Sequence, residues 1–309
     1  MYTIREIGEN IKNCENFRGN VLFGVPMSAR TTMKVGGNAE LIIEPEDENA
    51  LSAALGVIQT MNSDFFVLGG GSNLVVSDGG VKQPVISLRN FSGISILEID
   101  GEFFLECGAG ATWGSIFNFC SEKNFSGLLK FTGLPGTVGG AVFMNASCFG
   151  SSVSDVIQSA KYMSANGQSQ VYAVNEADWG YKKSPFQTGG ADKKIVTSAI
   201  FRVQKSTENV REKGLSFLAK RREMGHFEKP CAGSVFKNPA GEKSAGRLID
   251  ECGLKGFKIG GAQVSLKHAN IIVNSGNATQ KDISALVDFV AAEVLRKKNV
   301  QFSAEIVFW

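Results

Sequence analysis

Short apolar runs separated by polar and glycine-rich stretches dominate the pattern of this chain. Runs rich in β-branched and aromatic side chains predict strands, whereas apolar positions three or four residues apart predict amphipathic helices. Strands are predicted at residues 41–43, 65–68, 85–88, 94–99, 103–107, 156–163, 171–174, 195–203 and 300–308. Helices are predicted at 46–59, at 113–123, from 206 to about 222, and after Thr279, which forms a capping box with Asp282. Asp100-Gly101 predicts a hairpin turn between two of the strands.

Two glycine-rich loops interrupt this pattern. The first, Gly-Gly-Gly-Ser-Asn at 69–73, follows a predicted strand, and the second, at 133–140, leads into the apolar, strand-like stretch 141–144. Glycine has no Cβ, so its backbone N–H groups can turn toward a ligand and approach it closely. A pair of such loops is typical of a protein that holds a large phosphate-bearing ligand, and therefore favours a dinucleotide.

The standard nucleotide-binding motifs are absent from the sequence. Neither loop ends in the Gly-Lys-Ser/Thr of a P-loop. Gly108-x-Gly110 precedes a predicted helix, but Trp113 stands where the third glycine of a Rossmann fingerprint belongs. The Gly-x-Ser-x-Gly elbow of an α/β-hydrolase is missing as well. These absences favour a dinucleotide-binding fold that is not of the Rossmann type.

Composition narrows the class of protein further. The 309 residues are 43% hydrophobic and 20% charged, which is ordinary for a well-cored globular protein of two or three domains. The N-terminal segment lacks the apolar core of a signal peptide, and no run is long enough to span a membrane. The six cysteines are scattered and the histidines number two, so neither a disulfide framework nor a metal site is expected. We therefore expect a cytoplasmic protein without a nucleic-acid or membrane partner.

Several motifs together resemble the UDP-N-acetylenolpyruvoylglucosamine reductase family. Segments 30–39 and 67–74 are similar to its N-terminal flavin-binding signatures, and 133–145 is similar to its central one. Segments 231–239 and 265–274 are similar to its substrate domain. The match runs through nearly the whole chain in order. Because no long insertion lies between 259 and 274, the chain resembles the short subtype that lacks an extra substrate-covering loop.

The resemblance implies an α+β protein. The expected architecture is an FAD-binding fold of the vanillyl-alcohol-oxidase type, built from two α+β subdomains, with a C-terminal α+β substrate domain. The residue composition changes after residue 205, where basic residues become more frequent. We therefore place the FAD-binding subdomains at 1–75 and 76–205 and the substrate-binding domain at 206–309. The implied activity is the NADPH-dependent reduction of the enolpyruvyl group of UDP-N-acetylglucosamine enolpyruvate to UDP-N-acetylmuramate in peptidoglycan precursor synthesis.

The resemblance also assigns the residues that bind ligands. Non-covalent FAD, with NADPH as co-substrate, is expected on the two loops and the residue that closes the second signature: Gly69, Gly70, Gly71, Ser72, Asn73, Gly136, Thr137, Gly139, Gly140 and Asn145. The UDP-sugar enolpyruvyl ether is expected on Tyr181, Lys237, Asn238 and Lys258. A metal is not expected.

Three residues carry the implied chemistry. Hydride addition to C3 of the enolpyruvyl ether leaves an enolate that needs a proton at C2 and positive charge near its oxygens. The resemblance places the proton donor at Ser234, and at Glu305 a carboxyl that polarises the substrate carboxylate or relays a proton. The third position departs from the family, whose Tyr-Arg-x-Ser-x-Phe pattern reads Tyr-Lys-Lys-Ser-Pro-Phe at 181–186, so Lys182 replaces the arginine. Lysine supplies charge without the planar fork of a guanidinium.

This substitution leaves two alternatives open. One is a catalytically weakened homologue that binds flavin or a UDP-sugar. The other is a flavin oxidoreductase of the same fold that acts on a different anionic substrate. The segment 145–150 also departs from the family, which favours Ala-Gly before an aromatic residue. The sequence leaves the oligomeric state undecided, with a monomer among the states it allows.

Overall fold

The chain folds into short helices and many short strands; the computed structural model describes residues 2–309, apart from the side chain of Ala191. The α-helices are α1 Ile4–Lys12, α2 Glu48–Thr60, α3 Trp113–Lys123, α4 Val138–Phe143, α5 Val210–Glu223, α6 Ala245–Glu251 and α7 Gln280–Lys298. The strands are β1 Gly19–Pro26, β2 Asn38–Pro45, β3 Phe66–Leu68, β4 Leu74–Val75, β5 Val85–Ser87, β6 Ile94–Ile99, β7 Glu102–Gly108, β8 Phe125–Ser126, β9 Ser147–Cys148, β10 Ser151–Ser152, β11 Ile157–Ser164, β12 Ser169–Ala173, β13 Lys194–Lys205, β14 Cys231–Ser234, β15 Lys258–Ile259, β16 Ala262–Val264, β17 Ile271–Asn274 and β18 Val307–Phe308.

The chain divides into two compact units, each assembled from separate stretches of sequence. The first unit contains the residues up to Val25, Glu40–Gly70 and Lys82–Ala219. The second unit contains Pro26–Ala39, Gly71–Val81 and Lys220–Trp309. Two of the stretches in the second unit come from the part of the sequence in which we expect FAD-binding subdomains. The division into functional domains at 1–75, 76–205 and 206–309 stays a prediction.

A six-stranded antiparallel sheet forms the larger part of the first unit. Its order is β12-β11-β13-β7-β6, with β8 also paired to β13. Strands β6 and β7 form the predicted hairpin, and φ is +52° at Asp100 and +81° at Gly101. Positive φ at both central residues matches the right-handed twist of the two strands. Helix α4, which follows the second glycine loop, packs on β13.

A smaller sheet of order β1-β2-β5-β3 lies in the same unit. Strands β2 and β3 both run parallel to β5. Helix α2 begins at Glu48, two residues after the predicted start, because the Asp47 carboxylate caps it by accepting a hydrogen bond from the Ala50 amide at 2.8 Å. The apolar face of α2 is buried through Leu51, Leu55 and Ile58. Strand β3 ends at the first glycine loop, so the parallel sheet fixes where that loop starts.

The second unit is built on an antiparallel sheet of order β14-β17-β16-β15. Helix α7 covers this sheet and opens with the predicted capping box, in which the Asp282 amide donates to the Thr279 hydroxyl and the Thr279 amide to the Asp282 carboxylate. Its buried residues are those that the helical period predicts: Ile283, Leu286, Val287, Val290 and Val294. The core of the unit is therefore made largely by α7, α6 and this sheet.

Two predicted strands are wrong in part. Residues 141–143 belong to α4, and Met144 directly follows that helix. The first backbone amides of α4, those of Val138 and Gly139, donate to the carbonyls of Ala111 and Ala109, so this segment starts a helix rather than a strand. Of the segment 300–308, strand structure is limited to β18 and an isolated bridge between Ala304 and Phe236. A segment with an alternating apolar pattern forms a strand only where it can pair with a continuous partner strand. Most of the segment 300–308 has no such partner strand.

Candidate functional site

The two glycine loops meet inside the first unit. A Cβ added to Gly70 would lie 2.5 Å from the Cα of Gly136, closer than real Cβ contacts. A Cβ on Gly69 would lie 3.0 Å from the hydroxyl oxygen of Thr137. Only glycine permits two backbones to approach so closely. The structure thus brings together the residues of 69–70 and 136–137 that the sequence assigns to one ligand.

The rest of the first loop belongs to the second unit, where it packs against 30–32. Gly71 has φ of +63°, and a Cβ there would lie 2.2 Å from the carbonyl oxygen of Arg30. The Thr32 amide donates to the Gly71 carbonyl at 3.1 Å, and the Thr32 hydroxyl donates to the Cys231 carbonyl at 2.7 Å. The loop is therefore held by the segment 30–39, which carries one of the flavin-binding signatures.

Each unit has one buried hydroxyl beside its part of the glycine-rich loops that suits a phosphate. Among the hydrogen bonds of residues 2–309, the hydroxyl oxygens of Thr31 and Thr137 have no partner, although these residues are only 7% and 9% exposed. A buried hydroxyl without a hydrogen bond costs about 1–3 kcal/mol. A pyrophosphate oxygen accepts hydrogen bonds and would remove that cost at either hydroxyl, so in each unit the residues beside the loop suit the pyrophosphate of FAD. Thr137 is among the predicted cofactor residues. Thr31 lies in the flavin-binding signature 30–39 but was not predicted individually, because it stands outside the glycine-rich pattern.

Not every predicted cofactor residue can offer its backbone N–H group to the cofactor. The Gly139 amide donates to the Ala109 carbonyl at 2.9 Å, and a Cβ on Gly139 would lie 2.9 Å from the Cβ of Ala109. Gly139 thereby permits close packing of α4. A Cβ on Gly140 would make an ordinary contact of 3.9 Å with Thr137. Roles for Gly139 and Gly140 toward the cofactor stay predictions.

Asn145 lies just after α4 and its side chain is used by the fold. Its side-chain amide group donates to the Gly180 carbonyl at 2.8 Å, and its carbonyl oxygen accepts from the Ser154 amide at 3.0 Å. Asn145 is 3% exposed. The residue thus connects α4 to the turn at Tyr181 and Lys182. A direct contact of Asn145 with the cofactor stays a prediction.

Lys182 occupies a tight turn. Gly180 and Lys183 exchange two backbone hydrogen bonds, of 3.1 and 3.0 Å, across this turn. Lys182 has φ of +56°, is half-buried, and holds its ammonium 5.9 Å from the centroid of the Tyr181 ring. The predicted catalytic lysine and the predicted substrate-binding tyrosine are therefore neighbours on one turn.

Ser234 ends β14 at an irregularity of the sheet. Cys231 pairs with Val273 and Ser234 with Ile271, so the register shifts between them. Gly233 causes this shift, because its φ of +76° is a conformation that glycine adopts readily. Such a bulge turns the next side chain away from the regular alternation of the strand, and here that side chain is the half-buried Ser234.

Asn270 fixes the backbone that follows Ser234. Its carbonyl oxygen accepts from the Phe236 amide at 3.0 Å, and its side-chain amide group donates to the Phe236 carbonyl at 2.8 Å. The Val235 amide donates to the Asn270 main-chain carbonyl at 2.8 Å. Asn270 is 4% exposed. Sequence reasoning did not select this residue, because an asparagine that binds only backbone groups leaves no motif of its own.

Glu305 lies beside the Ser234 segment in the second unit. Its amide donates to the Val235 carbonyl at 2.7 Å, and its carbonyl accepts from the side-chain amide of Asn73 at 3.0 Å. The half-buried Glu305, the residue after Ser234 and the end of the first glycine loop thus lie side by side.

The predicted substrate residues of the second unit are spread along it. The backbone amide of the half-buried Lys237 donates to the Ser303 carbonyl at 3.0 Å. Lys237 is therefore paired with a residue that precedes Glu305 by two positions. The side-chain oxygen of Asn238 accepts from the Ala245 amide at 2.9 Å, at the start of α6. Lys258 is exposed on β15, at the opposite edge of the sheet from Ser234. The structure brings Lys237 to Ser234 but not Lys258.

Burial governs the titration of other reactive groups. It raises the pKa of the Cys120 thiol to about 11, and the pKa of Cys107 further. Burial, followed by the charge of Arg221, lowers the pKa of His226 to about 4, and burial lowers the pKa of His268. Both imidazoles are therefore neutral at pH 7. These groups supply neither a thiolate nor a cation, so the candidate chemistry stays with Ser234, Glu305 and Lys182.

Comparison with known proteins identifies the family. Residues 225–309 match the UDP-N-acetylenolpyruvoylglucosamine reductase C-terminal domain, and residues 39–171 match an FAD binding domain. A UDP-N-acetylenolpyruvoylglucosamine reductase of Treponema denticola is 38% identical over 302 residues, which is 94% of this chain and 94% of that protein. The chain belongs to the UDP-N-acetylenolpyruvoylglucosamine reductase family. The Bacillus subtilis member is 34% identical, over 93% of each chain.

A solved structure supports the same assignment to the reductase family. The UDP-N-acetylenolpyruvylglucosamine reductase of Thermus caldophilus superimposes with a TM-score of 0.75 and 32% identity, over 94% of this chain and 99% of that one. The predicted family, the α+β fold with its FAD-binding part, FAD as cofactor and the assignment as a flavin-dependent oxidoreductase are confirmed. Within residues 2–309, no helix has the length and hydropathy needed to span a membrane.

The close approach of the loops predicts a strong effect of one methyl group. Gly70→Ala is expected to weaken FAD binding by roughly 10- to 100-fold, because the added Cβ would force apart two backbones at a cost of about 1–3 kcal/mol. Gly56→Ala is the control, since Gly56 lies inside α2 with nothing within 4 Å of its added Cβ. Titration of the apoprotein with FAD, followed by flavin fluorescence, measures both affinities. Unchanged affinity in Gly70→Ala would show that FAD binding does not depend on this contact.

Proposed function

We propose that this chain catalyses the NADPH-dependent reduction of UDP-N-acetylglucosamine enolpyruvate to UDP-N-acetylmuramate, a step of peptidoglycan precursor synthesis. The proposal rests on the arrangement of three predicted site residues in the second unit. There the strand end that bears Ser234 is hydrogen-bonded to the Glu305 segment, which in turn contacts Asn73 of the first glycine loop. A hydroxyl, a carboxyl and a phosphate-binding loop are the parts that such a reduction requires.

The overall reaction adds two hydrogens across the C2=C3 double bond of the enolpyruvyl ether. NADPH is oxidised to NADP⁺, one hydride equivalent reaches C3, and one proton reaches C2. When bound, FAD supplies the means to take up that hydride equivalent from NADPH and release it to the substrate. The resemblance assigns its pyrophosphate to residues 69–73 and to the loop 136–140, where the Thr137 hydroxyl is a donor.

Ser234 supplies the proton to C2. As the new C–H bond forms at C3, the π electrons of the double bond move onto C2 and the conjugated carboxylate, and C2 then takes the proton of the Ser234 hydroxyl. The bulge at Gly233 and the clamp made by Asn270 hold the backbone of Ser234 in one conformation. Solvent returns a proton to the serine after product leaves.

Lys182 and Glu305 stabilise the carboxylate end of the substrate. The Lys182 ammonium places positive charge near the oxygens on which negative charge develops. Glu305 helps to polarise the same carboxylate or relays a proton. Because an ammonium is a point charge, it makes one strong contact where a guanidinium would make two parallel ones.

The UDP-sugar is long, and its binding residues are correspondingly spread. Lys237 and Asn238 lie next to the Ser234 segment and bind the sugar and the adjoining phosphate, whereas Tyr181 adjoins Lys182. Lys258 is three strands from β14, about 14 Å at the usual spacing between strands. We assign it to the distal part of the diphosphate or to the nucleoside.

We place the enzyme in the cytoplasm, and a monomer is among the oligomeric states that the sequence allows. No disulfide joins the six cysteines, all of which lie within residues 2–309, as is usual in a reducing compartment. The burial of Cys107 and Cys120 agrees with a structural role for these thiols. Size-exclusion chromatography with light scattering tests the monomer.

Lys182 favours a second candidate function, that of a weakened homologue. Such a protein would retain bound flavin but turn over the enolpyruvyl sugar slowly or not at all. A same-fold oxidoreductase would instead oxidise NADPH with another anionic substrate. The three functions differ in the reaction that follows flavin reduction, so the substrate that reoxidises the flavin separates them.

Anaerobic mixing of the NADPH-reduced holoenzyme with UDP-N-acetylglucosamine enolpyruvate tests the proposed function. We expect the oxidised flavin absorbance to return in a single turnover and UDP-N-acetylmuramate to form in equal amount. Mixing with UDP-N-acetylglucosamine, which lacks the enolpyruvyl group, is the control and should leave the flavin reduced. Flavin that stays reduced with both sugars would contradict the proposed function. NADPH oxidation in the presence of another anionic substrate would then indicate the same-fold oxidoreductase rather than the weakened homologue.

A further inference from the structure

The turn that carries Lys182 holds an unfavourable backbone conformation. Left-handed φ, here +56°, costs a non-glycine residue about 1 kcal/mol, and a lysine has no short polar side chain to offset it. The turn is only two residues long between Gly180 and Lys183. Such a conformation persists only where the surrounding structure fixes it, so the contacts around the turn are informative.

Two side-chain amides brace the turn from either side. Asn145 donates to the Gly180 carbonyl at 2.8 Å, on the entry side. Gln187 donates to the main-chain carbonyl of Lys182 itself at 3.2 Å. The two bonds fix the peptide groups before and after the turn residues, and both donors belong to the first unit.

The brace at Asn145 is itself anchored. Its carbonyl oxygen accepts from the Ser154 amide, so both ends of its side chain bind backbone. Past the turn, the Ser184 hydroxyl donates to the Phe143 carbonyl at 2.7 Å, at the end of α4. The Lys182 turn is thereby tied at two points to the end of α4, at Phe143 and at Asn145, two residues beyond the helix.

We infer that Asn145 is a positioning residue, which with Gln187 fixes the backbone of Lys182 so that its ammonium is presented to the substrate carboxylate. This inference rests on the proposed function. A lysine reaches its target through a flexible four-carbon stem, so a fixed backbone is what limits the volume its ammonium samples. The brace replaces part of the rigidity that a planar guanidinium would provide.

Asn145→Asp removes the donor to Gly180 and keeps the acceptor for Ser154. In the reduced holoenzyme we expect reoxidation by UDP-N-acetylglucosamine enolpyruvate to slow by about tenfold per bound flavin. The maximal rate constant of reoxidation should fall, whereas the substrate concentration that gives half of the maximal rate should stay the same. Asn124→Asp is the matched control. Asn124 also has positive φ, +54°, donates to a carbonyl, that of Ser206 at 2.7 Å, and accepts from the Val210 amide at 3.3 Å.

The decisive measurement is a double-mutant cycle with Lys182→Ala. If Asn145 acts through Lys182, Asn145→Asp changes the reoxidation rate less than about twofold once the lysine is gone. An equal slowing in the presence and absence of Lys182 overturns the inference, as does wild-type reoxidation in Asn145→Asp. The Asn124→Asp variant should match wild type in both backgrounds.

Gln187→Ala keeps the inference testable if Asn145→Asp does not fold. Gln187 is exposed, and its loss removes the hydrogen bond to Lys182 without placing a charge in the interior. We expect a smaller slowing, about threefold, that also disappears in the Lys182→Ala background. An additive effect there contradicts the inference. If the wild type itself never reoxidises with this sugar, the proposed function fails, and the inference fails with it.

Discussion

Ser234→Ala is expected to leave the reduction of bound FAD by NADPH within about twofold of wild type and to slow reoxidation by the enolpyruvyl sugar by roughly 10²- to 10⁴-fold, the usual contribution of a general acid. The first half-reaction needs no proton at C2 of the substrate, whereas the second cannot finish without one. Stopped-flow absorbance of the flavin, recorded anaerobically for each half-reaction, measures the two rates separately.

A second serine of the same unit supplies the control. The Ser275 hydroxyl donates to the Gly261 carbonyl at 2.9 Å, so Ser275→Ala also deletes a hydroxyl from the second unit, at a hydrogen bond that holds the fold. Both half-reactions should survive that change. If Ser234→Ala reoxidised as fast as Ser275→Ala, the proton would have to come from another group. Slowing of both half-reactions in Ser234→Ala would instead indicate disturbed flavin binding.

Lys182 gives the second large effect. Lys182→Ala is expected to slow reoxidation by roughly 10²-fold, the order of the loss when one donor to a developing oxyanion is removed. Lys182→Arg should equal or exceed the wild-type rate, because the guanidinium restores a bidentate contact with the carboxylate. Single-turnover reoxidation of the reduced holoenzyme measures all three forms.

Lys183→Ala is the matched control for the loss of positive charge. Lys183 is the next residue, is exposed, and carries the same charge without being placed at the substrate. Its removal should change the rate less than about twofold, since an exposed charge is screened by salt. Equal slowing by Lys182→Ala and Lys183→Ala would mean that general electrostatic attraction, rather than a contact, governs the step. A large gain in Lys182→Arg would identify the natural lysine as the cause of a weakened activity.

Elements with local signals were predictable from the sequence. The α7 capping box of Thr279 and Asp282 and the β6–β7 turn at Asp100-Gly101 are each specified within a few residues. The 113–123 helix likewise has its own cap, in which the Thr112 hydroxyl accepts from the Ser115 amide. Neighbouring side chains and φ preferences decide such features, so the rest of the fold is not needed to infer them.

Elements that depend on distant partners were not predictable. β18 is a strand because Val307 and Phe308 pair with Leu74 and Val75, and the pattern at 300–308 contains no trace of that partner. The same limit applies to the two units, since nothing local indicates that 26–39 and 71–81 join the C-terminal part. The candidate chemistry was inferred by resemblance. The hydrogen bonds by which Asn270 and Asn145 hold the backbone were found only in the structure, because their partners are backbone groups, although the sequence had assigned Asn145 to the cofactor.

The pairing of β18 with β4 bears on how the chain can be made. Asn73 contacts Glu305, a residue 232 positions later, and the Ser77 amide donates to the Trp309 carbonyl at 2.7 Å. During synthesis the stretch after the first glycine loop therefore emerges from the ribosome long before its partners exist. Contacts of such sequence separation form slowly. The hydrogen bonds that Asn73 and Ser77 make with residues 305–309 can therefore form only after those residues have been synthesised, whereas the part of the first unit up to Ala219 needs none of them for its own contacts.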